Sequence, residues 1–162
     1  MSIDPREYRS TIGLFATGVT VITASDGDHI RGMTANSLTS VSLDPLLLLV
    51  CVDRKARMAP VISAASHFAV NILRADQEAI ARHFAGRPQP DIEVALEELA
   101  GAPVLSASLA TLVCSRERIL DGGDHLIVLG RVIALRRAAE GDPLLYFAGA
   151  YRQLAEMSTT LA

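Results

Sequence analysis

The apolar positions change period several times along the chain, and each change marks an element. Tyr8, Ile12 and Phe15 recur at helical spacing behind Asp4-Pro5, which predicts an N-terminal helix. Asp4 is the expected cap, Pro5 suits the first helical position, Glu7 can close a capping box, and Gly18 is the expected stop. Val19 to Ala24 is rich in β-branched residues and Asp26-Gly27 is a turn signal, so a hairpin should return over His29 to Ala35. Leu46 to Val52 is apolar at every position and predicts a strand covered on both faces. A short helix is expected from Met58 to Ala65 and a strand from His67 to Leu73. A helix capped by Asp76 should run to Phe84, with Ile80, His83 and Phe84 on one side. Gly86 to Pro90 reads as a loop, and Glu93 to Leu99 as a short helix in an acidic stretch. Leu109 to Leu120 and His125 to Leu135 read as long strands joined by Gly122-Gly123, and Gly130 is expected at a bend or bulge. Leu144 to Phe147 is a last short strand.

This pattern amounts to six or seven strands, mostly linked by hairpins, with three or four short helices. The helices do not alternate with the strands, which argues against a doubly wound sheet. A small closed or nearly closed barrel is the simplest solution for the strand edges. The 162 residues, 1–162, fit one domain, and neither a repeat nor a linker interrupts them.

Composition narrows the function classes. Aromatic residues are only 4% with no Trp, so the core is expected to be Ala, Val, Leu and Ile. Net charge is −3 and Lys55 is the only lysine; no basic cluster is large enough to predict nucleic-acid binding. The opening MSIDPREYRS is charged from its fourth residue, which predicts no signal peptide. The longest apolar run, Leu46 to Val52, is too short to cross a membrane, so a cytoplasmic protein is expected. Cys51 and Cys114 each sit inside an apolar run and read as buried free thiols. His29, His67, His83 and His125 are scattered without metal-ligand spacing, and no phosphate loop, dinucleotide fingerprint or nucleophile elbow occurs. Any enzyme chemistry would have to be borrowed from a cofactor.

One stretch asks for a chemical reading. Thr34, Ser37, Thr39, Ser40 and Ser42 supply five hydroxyls, and Asn36 an amide, within nine residues. Such short donors and acceptors can hold a flat polar heterocycle or a phosphate, and they also make an ordinary polar loop. Arg54, Lys55 and Arg57 follow the apolar strand and either neutralise a phosphate or solvate a strand end. His125 stands at the mouth of a strand after Asp121-Gly122-Gly123-Asp124. Phe147, Tyr151 and Arg152, late in the chain, can clamp a ligand or simply pack.

The ordered set of short motifs resembles the flavin reductase-like family from about Tyr8 to Leu154. The resemblance is carried by Phe15-Ala16-Thr17-Gly18-Val19-Thr20-Val21, by Gly32-Met33-Thr34-Ala35-Asn36-Ser37 with Asp44-Pro45 after it, and by Cys51-Val52-Asp53-Arg54. Phe68 to Leu73, Gln77 to Phe84, Gly123-Asp124-His125, Leu129 to Val132, Pro143 to Tyr146 and Tyr151-Arg152 continue it. The resemblance implies a mainly β fold, an FMN-binding split β-barrel with a few peripheral short helices. It implies that NADH or NADPH transfers hydride to N5 of FMN or FAD, and that reduced flavin leaves for a separate monooxygenase. It also implies a homodimer. By similarity, Thr34, Ala35, Asn36 and Ser37 touch the flavin ring, Ser40 and Ser42 lie towards the ribityl-phosphate, and Cys51 and Asp53 line the wall. Arg54, Lys55 and Arg57 are the phosphate candidates, Phe84 encloses the flavin, and His125, the candidate catalytic residue, borders the nicotinamide side with Tyr151. Many relatives have Ser-Arg-Thr where this chain has Ala56-Arg57-Met58, so two phosphate hydroxyls are absent and FAD or exchanging flavin stays open. Two other readings stay open: a flavoprotein that keeps FMN and acts directly on a small organic substrate, and a flavin-binding module without turnover.

Overall fold

The two longest strands set the frame of the computed structural model, which describes residues 3–155. Ala110–Gly122 (β9) and His125–Arg137 (β10) form a hairpin, turning at Gly123 with φ +75°. Around them lie Thr20–Ser25 (β2), Ile30–Ala35 (β3), Thr39–Leu43 (β4), Leu46–Asp53 (β5) and His67–Ile72 (β6). The seven strands run in the order β3-β2-β6-β9-β10-β5-β4, every neighbouring pair antiparallel. Laid flat, such a sheet would hold its outer strands about 29 Å apart. Yet β3 and β4 are joined only by residues 36–38, which reach about 14 Å at full stretch. The sheet must therefore curl until its edges approach. They do not pair with each other. The result is a barrel split between β3 and β4.

Two apolar clusters fill and flank the curl. The helix Met58–Ala64 (α2) buries Met58, Val61 and Ile62 against Ile22, Val50, Phe68 and Val128. The helix Glu78–Phe84 (α3) places Ala81 against Val19, Val21, Leu73, Leu105 and Leu144. Gly130 sits where the β9–β10 register shifts, and a Cβ there would lie 2.5 Å from the Phe68 ring, so the expected bulge is present with a packing reason. Buried Asn71 ties four strands together. Its Nδ2 donates to Val21 O at 2.9 Å and Thr23 Oγ1 at 3.0 Å. Its Oδ1 accepts from Leu105 N at 3.0 Å and Thr111 Oγ1 at 3.3 Å.

Several expectations from the sequence are corrected. The N-terminal helix Pro5–Ile12 (α1) is capped by Asp4 but ends at Gly13; Thr17–Gly18 (β1) is instead a strand, paired with Leu145–Phe147 (β11). Helix α3 begins one residue later than expected, with Gln77 as its cap, because Asp76 is held by the Arg74 guanidinium. The acidic stretch is not a helix. Leu96–Leu99 (β7) pairs with Ala102–Leu105 (β8) across Ala100 and Gly101, both at positive φ, and β8 is buried at every position. The apolar strand β5 is covered fully on one face only. Leu48, Val50 and Val52 are buried, whereas Leu47, Leu49 and Cys51 are half-buried, because among the described residues no element packs fully on that side. Ala150–Arg152 (β12) completes a small sheet with β11 and β1.

Candidate active site

Among the described residues, strand β3 pairs with β2 and with nothing on its other edge. Half of its backbone N–H and C=O groups therefore face the split without ladder partners. The split is a groove with a wide end and two arms, and Thr34 lines all three. The wide end, about 780 Å³, lies between Arg31 to Thr34 of β3, the start of α2 at Arg57 and Met58, and the end of α3 at His83 and Phe84. One arm, about 230 Å³, runs past Asn36 and Ser37 to Cys51, Asp53 and His125. The other, also about 230 Å³, runs past Ala35 to Tyr146 and Tyr151.

The hydroxyls of this segment mostly build the groove. Thr34 Oγ1 donates to Ala81 O at 2.6 Å and so fastens α3 to β3. Ser37 Oγ accepts from Cys51 N at 2.9 Å and donates to Cys51 O at 3.2 Å, closing the chain onto β5. Asn36, an exposed residue, donates from Nδ2 to Thr17 Oγ1 at 3.2 Å. Gly32 is required by its neighbour: a Cβ there would stand 2.3 Å from Cε1 of Phe84. The Phe84 ring thus lies directly on the backbone of β3 and meets His83 edge-on at 5.1 Å.

At the far end His125 Nδ1 lies 2.7 Å from Asp124 Oδ1. The His125 contact holds the Asp124 carboxyl below its ordinary range. With that carboxyl ionised, Nδ1 carries the proton and Nε2 is the nitrogen left for other contacts. Tyr151 meets Tyr146 edge-on at 5.4 Å, and the Arg82 guanidinium sits 5.1 Å above its ring. Burial raises the Tyr151 phenol above its ordinary value, with Arg82 opposing, so it is a neutral group at pH 7.

Ten of the sequence-selected residues thus meet around one groove: Thr34, Ala35, Asn36, Ser37, Cys51, Asp53, Arg57, Phe84, His125 and Tyr151. Four do not line it. Arg54 Nε donates to Gly123 O at 2.9 Å and its Nη2 to Asp121 Oδ1 at 2.9 Å, which turns it towards the β9–β10 hairpin. Lys55 is exposed next to it, and its backbone N–H is the group that Asp53 holds. Ser40 and Ser42 lie instead along an apolar groove of about 330 Å³ lined by Leu38, Leu43, Leu46, Leu48 and Leu135. A bulge in the β4–β5 pairing between Ser40 and Ser42 accompanies that placement. Sequence reasoning gave no site role to Arg31, His83, Arg82, Arg87 or Tyr146. The alternation around Gly32 pointed to a strand, but nothing local says which helix end that strand faces.

An unpaired strand edge beside a planar slot can hydrogen-bond the rim of a flat heterocycle as it would a neighbouring strand. The comparison with known proteins is decisive here. Residues 12–155 match the model of the flavin reductase like domain. The chain belongs to the flavin reductase-like family. It is 42% identical to the NADH-dependent FAD reductase of Streptomyces globisporus, over 94% of this chain and 89% of that one. It is also 42% identical to the reductase component of the 4-hydroxyphenylacetate 3-monooxygenase of Thermus thermophilus, over 91% of this chain and 95% of the relative. Among solved structures, the flavin reductase PheA2 in its native state superposes with a TM-score of 0.91 at 43% identity, covering 95% of this chain and 100% of that one. The mainly β fold expected from the resemblance is the fold observed.

Proposed function

We propose that the protein is an NAD(P)H:flavin oxidoreductase that reduces FMN or FAD and supplies it to a separate flavin-dependent monooxygenase. The observation that carries this reading is the unpaired outer edge of β3 opening onto the split, in a chain of the flavin reductase-like family. Relatives named as an NADH-dependent FAD reductase and as a monooxygenase reductase component support it. The residues fit a flavin: an edge of free backbone groups for the ring rim, a Gly32–Phe84 contact that shapes the slot, and Arg57 at its wide end. Bound flavin supplies the hydride acceptor, and the nicotinamide nucleotide the hydride.

The chain's own residues bind and align. The backbone of Thr34 to Ser37 orients the ring, with Ser37 fixing that segment through Cys51. Cys51 and Asp53 form one wall, and Phe84 closes the other end. Arg57 takes the flavin phosphate; Arg54 holds the hairpin that carries His125. His125, oriented by Asp124, positions the nicotinamide side, and Tyr151 borders it. Aligning two rings at reactive distance is the main catalytic demand, and it needs no strong acid or base.

The reading takes residues 1–162 as a single flavin reductase-like domain acting as a homodimer. A second copy of this chain would cover the apolar groove beside β4 and β5, where Leu43 is 83% and Leu135 67% exposed. Ser40 and Ser42 then belong to that covered face. A cytoplasmic setting agrees with the two free thiols, Cys51 and Cys114. The test is loss of NADH absorbance in air with added FMN or FAD, repeated with NADPH. Loss that scales with added flavin supports the reading. Loss that ignores added flavin, with flavin copurifying, replaces it by a direct flavoenzyme. No loss with any pair refutes turnover. Gel filtration at the mass of one chain refutes the dimer.

A further inference from the structure

Helix α3 runs into a loop that is fixed at both ends and barely held between them. Up to Arg87 the helix end holds the chain: Ala85 N donates to Ala81 O at 3.0 Å and Arg87 N to Arg82 O at 3.1 Å, across Gly86 at φ +81°. The chain is held again at Ala95, whose carbonyl accepts from Ser106 N at 3.1 Å. Between those points, among the described residues, one hydrogen bond ties the loop to the rest of the protein. Gln89 N donates to His83 Nδ1 at 3.3 Å. The other bonds of the stretch are internal, from Gln89 Nε2 to Arg87 O at 2.9 Å and from Ile92 N to Gln89 O at 3.4 Å. Pro88 and Pro90 have no N–H, so Gln89 supplies the one backbone donor of residues 88–90, and His83 takes it. Beyond Gln89, Val94 packs on the cluster of Leu73 and Leu105.

We propose that His83 is a pH-sensitive latch: its neutral ring holds the loop of residues 88–94 at the rim of the groove, and protonation releases it. Gly86 and Pro88 line the wide end together with His83, so the position of this loop sets how far that end is open. With Gln89 donating, Nδ1 is the acceptor, and the ring is neutral with its proton on Nε2. An imidazolium carries a proton on both nitrogens, so Nδ1–H would then face the Gln89 N–H, donor against donor. The bond is lost, and the loop keeps only its internal bonds and Val94. A Cβ at Gly86 would meet nothing within 4 Å, so open space lies beside the point about which the loop would swing. The charged groups that share the cavity with His83 are Arg31 from β3 and Arg57 at the start of α2, and among the described residues no Asp or Glu lines it. On its own helix Arg82 is paired with Glu78; on the loop Arg87, Asp91 and Glu93 are exposed. The functional part of the inference rests on the flavin reading of the groove. A reductase that hands on its flavin must let it in and out, and this rim would set the rate.

The test uses the full chain and the variants His83→Asn and His83→Ala. Asparagine offers Oδ1 where Nδ1 stood, so it keeps the acceptor and does not titrate; alanine removes the acceptor at every pH. The first measurement is NMR of the parent protein without ligand, from pH 8 to pH 5. The Gln89 amide proton should shift along the titration curve of the His83 ring, and its protection from exchange should fall about three- to tenfold. One ordinary hydrogen bond is worth a factor of about two to twelve in an opening equilibrium. The second measurement is the association rate of riboflavin, read by stopped-flow fluorescence. Riboflavin has no phosphate, so Arg31, Arg57 and the imidazolium do not steer it and the rate reports the rim. In the parent protein that rate should rise about three- to tenfold as pH falls. His83→Asn should stay at the slow rate throughout, and His83→Ala should match the fast rate at both ends of the range. A Gln89 amide that ignores the His83 titration would overturn the latch. So would a pH dependence of entry that survives in His83→Asn, which would assign it to His125, the other histidine on the groove. Entry into His83→Ala no faster than into the parent protein at pH 8 would also overturn it. Riboflavin and FMN that fail to bind the parent protein at any pH would sink the flavin reading instead, and the Gln89 amide would still decide the latch.

Discussion

Replacing Gly32 by alanine should disable the groove through Phe84, and the size of the effect follows from one distance. A Cβ at position 32 would lie 2.3 Å from Cε1 and 2.4 Å from Cδ1 of Phe84. Ordinary carbon contacts are about 3.5–4.0 Å, so the ring must retreat by about 1.2–1.7 Å or the strand must bend. Phe84 is a partly buried side chain on the last turn of α3, packed on the cluster around Ala81 and Leu105, so it gives way more readily than backbone would. Overpacking of this kind costs about 1–3 kcal/mol, and removing a strand glycine returns about 0.5–1 kcal/mol. The expected outcome is a net loss of about 0.5–2 kcal/mol in urea unfolding with an unchanged m-value. FMN affinity, read from quenching of flavin fluorescence, should fall about tenfold as the slot changes shape, which is about 1.4 kcal/mol. The decisive comparison is Gly32→Ala in a Phe84→Ala background, where the clash no longer exists. There the substitution should be neutral or stabilising. An equal penalty with and without the Phe84 ring, or normal FMN affinity in Gly32→Ala alone, would refute the reasoning.

Other predictions follow the same contacts. Ser37→Ala removes both bonds to Cys51 and leaves a partly buried N–H unpaired, so it should cost about 1–2 kcal/mol and weaken flavin binding, whereas Thr39→Ala, on the exposed part of β4, should do neither. Asn71→Ala strips four hydrogen bonds from a buried site and should lower stability by about 3–5 kcal/mol in denaturant titration; a loss below about 1 kcal/mol would mean water replaces the amide. Burial pushes the Cys114 thiol up to about 12, so a thiol reagent at pH 8 should label Cys51 alone in the folded protein, and flavin should slow that labelling. The Gly123 N–H and then Arg54 hold the Asp121 carboxyl below its ordinary value. Its stabilising effect is therefore present above about pH 4 and lost as pH falls through the lowered value, so Asp121→Asn should reduce Tm slightly at pH 7 and not at all in strong acid. A constant difference in Tm across that range would contradict the assignment.

The sequence by itself determined the elements that depend on near neighbours. Alternation and turn chemistry located the β2–β3 and β9–β10 hairpins, because Asp26-Gly27 and Gly122-Gly123 carry their own backbone preference. The hydroxyl run left a polar loop and a ligand site both open, and only Thr34 and Ser37 of its five hydroxyls line the groove; it was the family resemblance that picked the fourteen residues of which ten line it. What failed were judgements that depend on distant partners. Leu96–Leu99 has helix-forming residues, yet pairs as a strand because buried β8 offers it a ladder. Strand β5 reads as covered on both faces, but the described residues cover the second face only in part. Arg54 looks like a free cation until the β9–β10 hairpin delivers Asp121, sixty-seven residues on, to its guanidinium. Arg82, Arg87 and Tyr151 are separated along the chain and become one pocket only when α3 docks beside β12. Periodicity encodes which face of an element is apolar; which element it meets is settled by the curling of the sheet, forced here by three residues between β3 and β4.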